Sequence, residues 1–172
     1  IIFVGITYSE DFPLVSPIQN TIKGPRGLAD VSNDIFITKL SGDGKTILFS
    51  TFFGGNSGDW CYGMNINAKD DIAITGTTFS TDFPTFNASK NTSAGGLDIF
   101  VTLFDANCTE ILFSTYLGGL GNDAGRSVDF DGDLITVTGD ISNSALATEK
   151  AAQTTYNGGL SDAYIAQFNE NG

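Results

Sequence analysis

Ile47-Leu48-Phe49-Ser50-Thr51-Phe52-Phe53-Gly54-Gly55 returns 64 residues later as Ile111-Leu112-Phe113-Ser114-Thr115-Tyr116-Leu117-Gly118-Gly119. Asp34-Ile35-Phe36-Ile37-Thr38 keeps the same spacing, recurring as Asp98-Ile99-Phe100-Val101-Thr102 and as Asp162-Ala163-Tyr164-Ile165-Ala166. A third set comprises Phe3-Val4-Gly5-Ile6-Thr7, Ile74-Thr75-Gly76-Thr77-Thr78 and Val137-Thr138-Gly139-Asp140-Ile141, and two of these lead into Asp11-Phe12-Pro13 and Asp82-Phe83-Pro84. Self-similarity at one fixed spacing is the mark of a repeat architecture, and 172 residues hold about 2.7 such units.

Within a unit the apolar residues alternate with period two, which places them on one face of a strand rather than along a helical stripe. Four strands are predicted for the middle unit, over Gly63–Ala68, Asp71–Thr78, Asp98–Asp105 and Glu110–Leu117. Short polar turns at 68–70 and 105–109 make hairpins of the first and last pairs. A longer loop, 79–97, joins the second strand to the third, with counterparts at 8–33 and 142–161. These loops differ while the strands agree, so individual specificity belongs to the loops.

The expected fold is all-β: a β-propeller-like array of four-stranded antiparallel blades. Residues 1–55 form a partial blade of three strands, 56–119 a complete blade and 120–172 a second partial blade of three strands. The first blade then lacks its inner strand and the last its outer one, leaving unpaired edges. Phe36, Phe100, Tyr164, Leu48, Phe49, Leu112 and Phe113 are the expected core.

The segments Phe49–Gly55, Ser80-Thr81-Asp82-Phe83-Pro84, Phe113–Gly119 and Gly158-Gly159-Leu160-Ser161-Asp162-Ala163-Tyr164-Ile165-Ala166 resemble the SBBP repeat, a β-propeller repeat of bacterial and archaeal surface and secreted proteins. The resemblance spans nearly the whole chain, with the motifs in the family's order. It implies a propeller, an extracellular setting, frequent incorporation in larger modular proteins, and no catalytic residue general to the family. Two departures stand out. The first loop is long between Ser16 and Ser32, and Ser144-Ala145-Leu146-Ala147 stands where the other units carry Asp-Phe-Pro.

Composition removes several function classes. Twenty acidic against eight basic side chains give a net charge of −12, which repels phosphate backbones and anionic lipid. No apolar run approaches the roughly 18 residues of a membrane span, and Ile1-Ile2-Phe3-Val4 is too short for a signal peptide. With no histidine, the usual general base, zinc ligand and Ser/His/Asp arrangement are all missing. Cys61 and Cys108 are too few for a thiolate cage, and they fall at opposite ends of the middle blade, too far apart to bond.

The repeated residues have structural uses. Glycines 54, 55, 118 and 119 permit positive φ and close sheet approach where the chain crosses between blades. Asp-Phe-Pro supplies a turn acceptor, an apolar anchor and a fixed φ. Asp129-Phe130-Asp131-Gly132-Asp133 superficially suggests a calcium loop, but its glycine comes too early and the segment reads as a hairpin turn. Asp59 and Asp123, 64 residues apart, either cap backbone amides or contact a cation, for which calcium is the candidate; no other cofactor is implied. Trp60, the one tryptophan, reads as an inter-blade anchor or, with Asp59, as a sugar-stacking platform. Sequons at Asn87, Asn91 and Asn107 fall in loops or turns and are candidate glycosylation sites.

The function expected from these features is that of a non-enzymatic extracellular structural or interaction module, a subunit of a cell-surface layer or filament. Its partners are copies of itself or neighbouring blades of a larger protein, and glycans, with no nucleic acid and no membrane insertion. The alternative is a carbohydrate-binding or carbohydrate-active propeller whose site is completed by other blades.

Overall fold

Strict alternation in the repeated segments produces strands of six to eight residues, ten of them among the described residues. The computed structural model describes residues 1–24, 33–142, 156 and 158–172. Part of the divergent first loop and all of Ser144-Ala145-Leu146-Ala147 lie outside them. The first sheet holds β1 (Ile2–Thr7), β2 (Asp34–Leu40) and β3 (Ile47–Phe53). The second holds β4 (Asp59–Ile66), β5 (Ile72–Thr78), β6 (Asp98–Phe104) and β7 (Ile111–Leu117). The third holds β8 (Ala124–Asp131), β9 (Leu134–Ile141) and β10 (Asp162–Phe168). Every described pairing is antiparallel between strands consecutive in the chain, so each sheet is an open meander. No helix occurs among the described residues, hence none long and apolar enough to cross a membrane.

The second sheet is sandwiched. On one side Ile74, Phe100 and Phe104 meet Ile35, Ile37 and Phe53 of the first sheet. On the other, Ile99, Val101 and Phe113 meet Val137, Ile141 and Tyr164 of the third. All seven residues of β5 and all seven of β6 are consequently buried, which alternation alone does not foretell. Aromatic rings lock the first junction: Phe53 lies edge-on to both Phe83 and Phe104, with centroids 5.1 and 4.9 Å away.

Three of the expected core residues behave otherwise. Leu48 is 50% exposed and Leu112 only partly buried. Opposite them the ladder slips: Lys39 faces Phe49 while Leu40 faces Ile47, and Leu103 faces Phe113 while Phe104 faces Ile111. Each leucine is the extra residue of a β-bulge and so drops out of the face its neighbours occupy. Phe36 is half-buried because it lies on the outer face of the first sheet, where Phe3 and Phe12 pack on its ring and no further described sheet covers it. Phe49, Phe100, Phe113 and Tyr164 are buried.

A second bulge explains why β4 starts at Asp59 rather than Gly63. The register shifts between Cys61 and Gly63, and again between Gly125 and Ser127 in β8, so alternation fails in both strands. A carbonyl two residues before the extra residue presses on the neighbouring strand. A β-carbon on Gly76 would sit 1.9 Å from the Trp60 carbonyl oxygen, and one on Gly139 would sit 2.0 Å from that of Ala124. Only glycine fits there.

Phe100→Ala opens a cavity between two sheets and should lower stability by about 3–5 kcal/mol, whereas Leu48→Ala should cost about 0.5 kcal/mol or less. Urea-denaturation midpoints of the two variants measure the difference; equal midpoints would show that the register is wrong.

Candidate functional site

The repeated Ser-Thr of the outer strands anchors the long loops. Ser50 exchanges backbone hydrogen bonds with Val15, and Ser114 does so with Phe86. Thr51 Oγ1 accepts from the Gln19 amide at 3.0 Å and donates to its carbonyl; Thr115 does the same with Lys90. The loops thereby run beside β3 and β7 and pair with their outer edges. The anchor places two side chains, Gln19 in the first unit and Lys90 in the second, each six residues after the proline of Asp-Phe-Pro.

Each of these side chains reaches one member of a carboxylate pair, Asp34 at the start of β2 with Asp59 at the start of β4, and Asp98 at the start of β6 with Asp123 just before β8. Asp34 and Asp59 flank Gly54, and Asp98 and Asp123 flank Gly118. A β-carbon on Gly54 would lie 2.5 Å from Asp59 Oδ2 and 3.0 Å from Asp34 Oδ1; on Gly118 it would lie 2.6 Å from Asp123 Oδ2 and 2.8 Å from Asp98 Oδ1. The close approach at these glycines is thus to carboxylates rather than to another sheet's backbone. Positive φ, expected for all four, occurs only at Gly118, because the other three turns are made with ordinary dihedrals.

All four aspartates have no solvent exposure. Asp59 Oδ2 accepts from the Gly55 amide at 2.8 Å and from Ser80 Oγ at 3.0 Å. Asp123 accepts from the amides of Gly119 and Ser142 at 2.7 and 2.8 Å. Amide capping, one of the two uses foreseen for Asp59 and Asp123, therefore occurs at both. Asp34 Oδ2 accepts from Gln19 Nε2 and from the Lys23 amide, and Asp98 Oδ2 from the Ala94 amide. The first junction has no cation in contact with its carboxylates among the described residues. In the second, Lys90 Nζ lies 3.9 Å from Asp98 Oδ1 and donates to the Gly118 carbonyl at 2.6 Å.

Burial pushes the Asp34 carboxyl up to about 6, against the pull of the Lys23 amide, Gln19 and the more distant Lys23 ammonium, with the charge of Asp82 adding a little. Burial also raises Asp59 to about 7, with the charge of Asp34 adding to it and hydrogen bonds from Thr78, Gly55 and Ser80 opposing it. Asp98 is raised by burial too, with the Ala94 amide and the Lys90 ammonium pulling down.

The remaining sequence candidates do not join these clusters. Trp60 is half-buried, edge-on to Phe79 at 6.0 Å and folded over Gly58. Asn87, Asn91 and Asn107 are exposed. The Asp129–Asp133 segment closes the β8–β9 hairpin through Gly132 at φ 62°, and Asp133 pairs with Lys69 at 3.2 Å. Both cysteines are free. No group of three or more His, Cys, Asp or Glu gathers as a metal cage among the described residues. Sequence reading missed Asp34, Asp98, Gln19 and Lys90. The signal lay in the aspartate heading each repeated Asp-Ile-Phe segment, at the same 64-residue spacing as Asp59 and Asp123.

No family model matches the chain, and no curated protein matches it.

Carboxyls that hold protons more tightly when folded than at their ordinary 3.8 make the folded state lose stability as pH rises from about 4 to about 7. With divalent ions chelated, Asp59→Asn should flatten this slope, since its amide can take the unpartnered Oδ1 position without a charge. Urea midpoints at pH 5 and pH 8 for both proteins measure the change; an unaltered slope would remove Asp59 as its source.

Proposed function

We propose that this chain is a non-enzymatic structural and interaction module of the cell exterior, an arc of SBBP-type propeller whose end sheets join copies of itself or neighbouring blades. One observation carries the reading: faces that are covered in the middle sheet recur uncovered at both ends. Val101 is 0% exposed beneath the third sheet, while Ile165, 64 residues on and on the corresponding face of the third sheet, is 73% exposed. At the other end, Phe36 occupies the place of the fully buried Phe100 and has no sheet above it among the described residues.

The edge of β1 supports the same reading. Gly5 occupies the place of Gly76 and Gly139, the glycines on which a bulged inner strand presses. No described strand lies on that side of β1, and the void beside Gly5 is filled by the Phe36 ring. The edge is cut to receive a bulged strand. A propeller arrangement is favoured by the meeting of like positions on successive inner strands. Asn65 of β4 donates to Asp129 of β8 at 2.6 Å, 64 residues away, a contact that blades related by rotation about a common axis would make.

Faces that complement each other head to tail build rings or filaments rather than closed two-fold dimers. The absence of histidine from the sequence and the use of repeated residues for anchoring and capping favour architecture over catalysis. The exposed sequon asparagines, the Thr-, Ser- and Asn-rich composition and the scarcity of lysine suit an extracellular surface.

The 172-residue chain should associate in a concentration-dependent manner in sedimentation velocity, and Ile165→Asp should weaken that association at least about tenfold by placing a charge in the joint. A monomer at every concentration, melting cooperatively with both edge strands protected from amide exchange, would sink the proposal.

A further inference from the structure

We propose that Asp34 and Asp59, closed over the bare Cα of Gly54, form a calcium site, with the ion taking the place that the Lys90 ammonium fills in the following unit. The internal repeat supplies the comparison. Two junctions share one frame, with a glycine between two buried aspartates and a loop side chain brought in by the same threonine anchor. In the second junction the loop side chain is Lys90, whose ammonium donates to the Gly118 carbonyl and faces Asp98 Oδ1. In the first it is Gln19, which brings no charge. Its Nε2 is committed to Thr21 O and Asp34 Oδ2, and its Oε1 accepts from the Gly54 amide at 3.1 Å.

Unused acceptors remain. Asp34 Oδ1 and Asp59 Oδ1 have no hydrogen-bond partner, and both residues are 0% exposed; Asp98 Oδ1 in the second junction has none either, but there the Lys90 ammonium faces it. Asp34 Oδ1, the atom corresponding to the one that faces the ammonium in the second junction, converges with Asp59 Oδ2 on the position a β-carbon of Gly54 would occupy. Only glycine lets both carboxylates pack this closely on the main chain. Two buried carboxylates that close on one glycine call for a counter-charge or a proton, and among the described residues the Lys23 ammonium acts on Asp34 without an ion pair, whereas Lys90 pairs with Asp98 next door.

The donor set selects the ion. The side-chain donors at the site are hard carboxylate oxygens, those of Asp34 and Asp59, and a bound ion would complete its shell with water. Neither thiolate nor imidazole is within the pair's set, so softer transition metals have no advantage. Calcium accepts irregular oxygen coordination and completes its shell with water, whereas magnesium demands near-ideal octahedral geometry.

The test is calorimetric titration of the full chain at pH 7.5 with calcium, with magnesium as comparison, alongside melting in EDTA and in about 10 mM calcium. That concentration exceeds the dissociation constants of about 10⁻⁴ to 10⁻³ M usual for extracellular modules. The wild type should bind one calcium per chain and melt higher with it, and magnesium should bind at least about tenfold more weakly. Gln19→Lys should abolish both responses while melting in EDTA at or above the wild type, because an internal ammonium then supplies the counter-charge. Lys90→Gln should bind two ions per chain. Absence of calcium binding by the wild type overturns the site, as does a Gln19→Lys chain that still binds one ion. A pair that merely shares a proton gives the first of these results. Should Gln19→Lys not fold, the stoichiometry of Lys90→Gln decides: two ions uphold the assignment and one overturns it. Self-association plays no part in these readouts, so the site and the proposed assembly stand or fall separately.

Discussion

The two central strands of the middle sheet have no side turned to solvent, and everything around them answers to that constraint. A four-stranded sheet with one solvated side could stand with a single partner layer; one whose two central strands are buried along their full length needs two. The first and third sheets supply these layers, and each covers one face with residues drawn from the repeated positions. Loops, bulges and buried carboxylates then solve the local problems such close stacking creates. The rings at the first junction, with Phe83 stacked on Phe100 at 4.7 Å, fill space that flat sheets alone would leave empty.

Stacking also explains the polar residues inside. Thr38 and Ser50 face each other across β2 and β3 with hydroxyls 2.9 Å apart, and Thr102 and Ser114 repeat the contact across β6 and β7. Hydroxyls buried in pairs lose little relative to water, and their small volume allows the loops to lie down on the outer strands. Carboxylates at the strand starts satisfy amides where the chain turns from one sheet into the next, at Gly55 and at Gly119. The motifs that repeat in the sequence are therefore mostly the fastenings between layers.

Alternation made the strands legible. Period two marks which side of a strand a residue takes, and the predicted ranges for β5, β6 and β7 agree with the structure to within a residue at each end. It is silent on whether that side is covered, so Phe36 and Phe100 read alike although one meets solvent and the other a second sheet. It also fails at a bulge, because one extra residue inverts the pattern on its far side. For that reason the first four residues of β4 looked like loop, and Leu48 and Leu112 looked like core. The paired carboxylates were half legible. Asp59 and Asp123 stood out through their shared spacing, while their partners Asp34 and Asp98 were absorbed into strand motifs. The loop residue that separates the two junctions, Gln19 or Lys90, was alignable in principle, six residues after the proline of Asp-Phe-Pro in both units, but nothing in the sequence alone tied that position to the carboxylates.

The manner in which the loops are fastened bears on how this architecture can diversify. Thr51 and Thr115 grip the main chain of Gln19 and Lys90, and Ser50 and Ser114 grip the main chain of Val15 and Phe86. Backbone is common to every amino acid, so the grip places little demand on side-chain identity. Between Lys90 and the Ala94 amide that caps Asp98, Asn91 and Thr92 project into solvent with their ends held at both sides. The rim of each unit is thus a ready display scaffold: foreign peptides spliced between such staples would inherit a defined geometry from the strands, much as hypervariable segments do on an antibody framework.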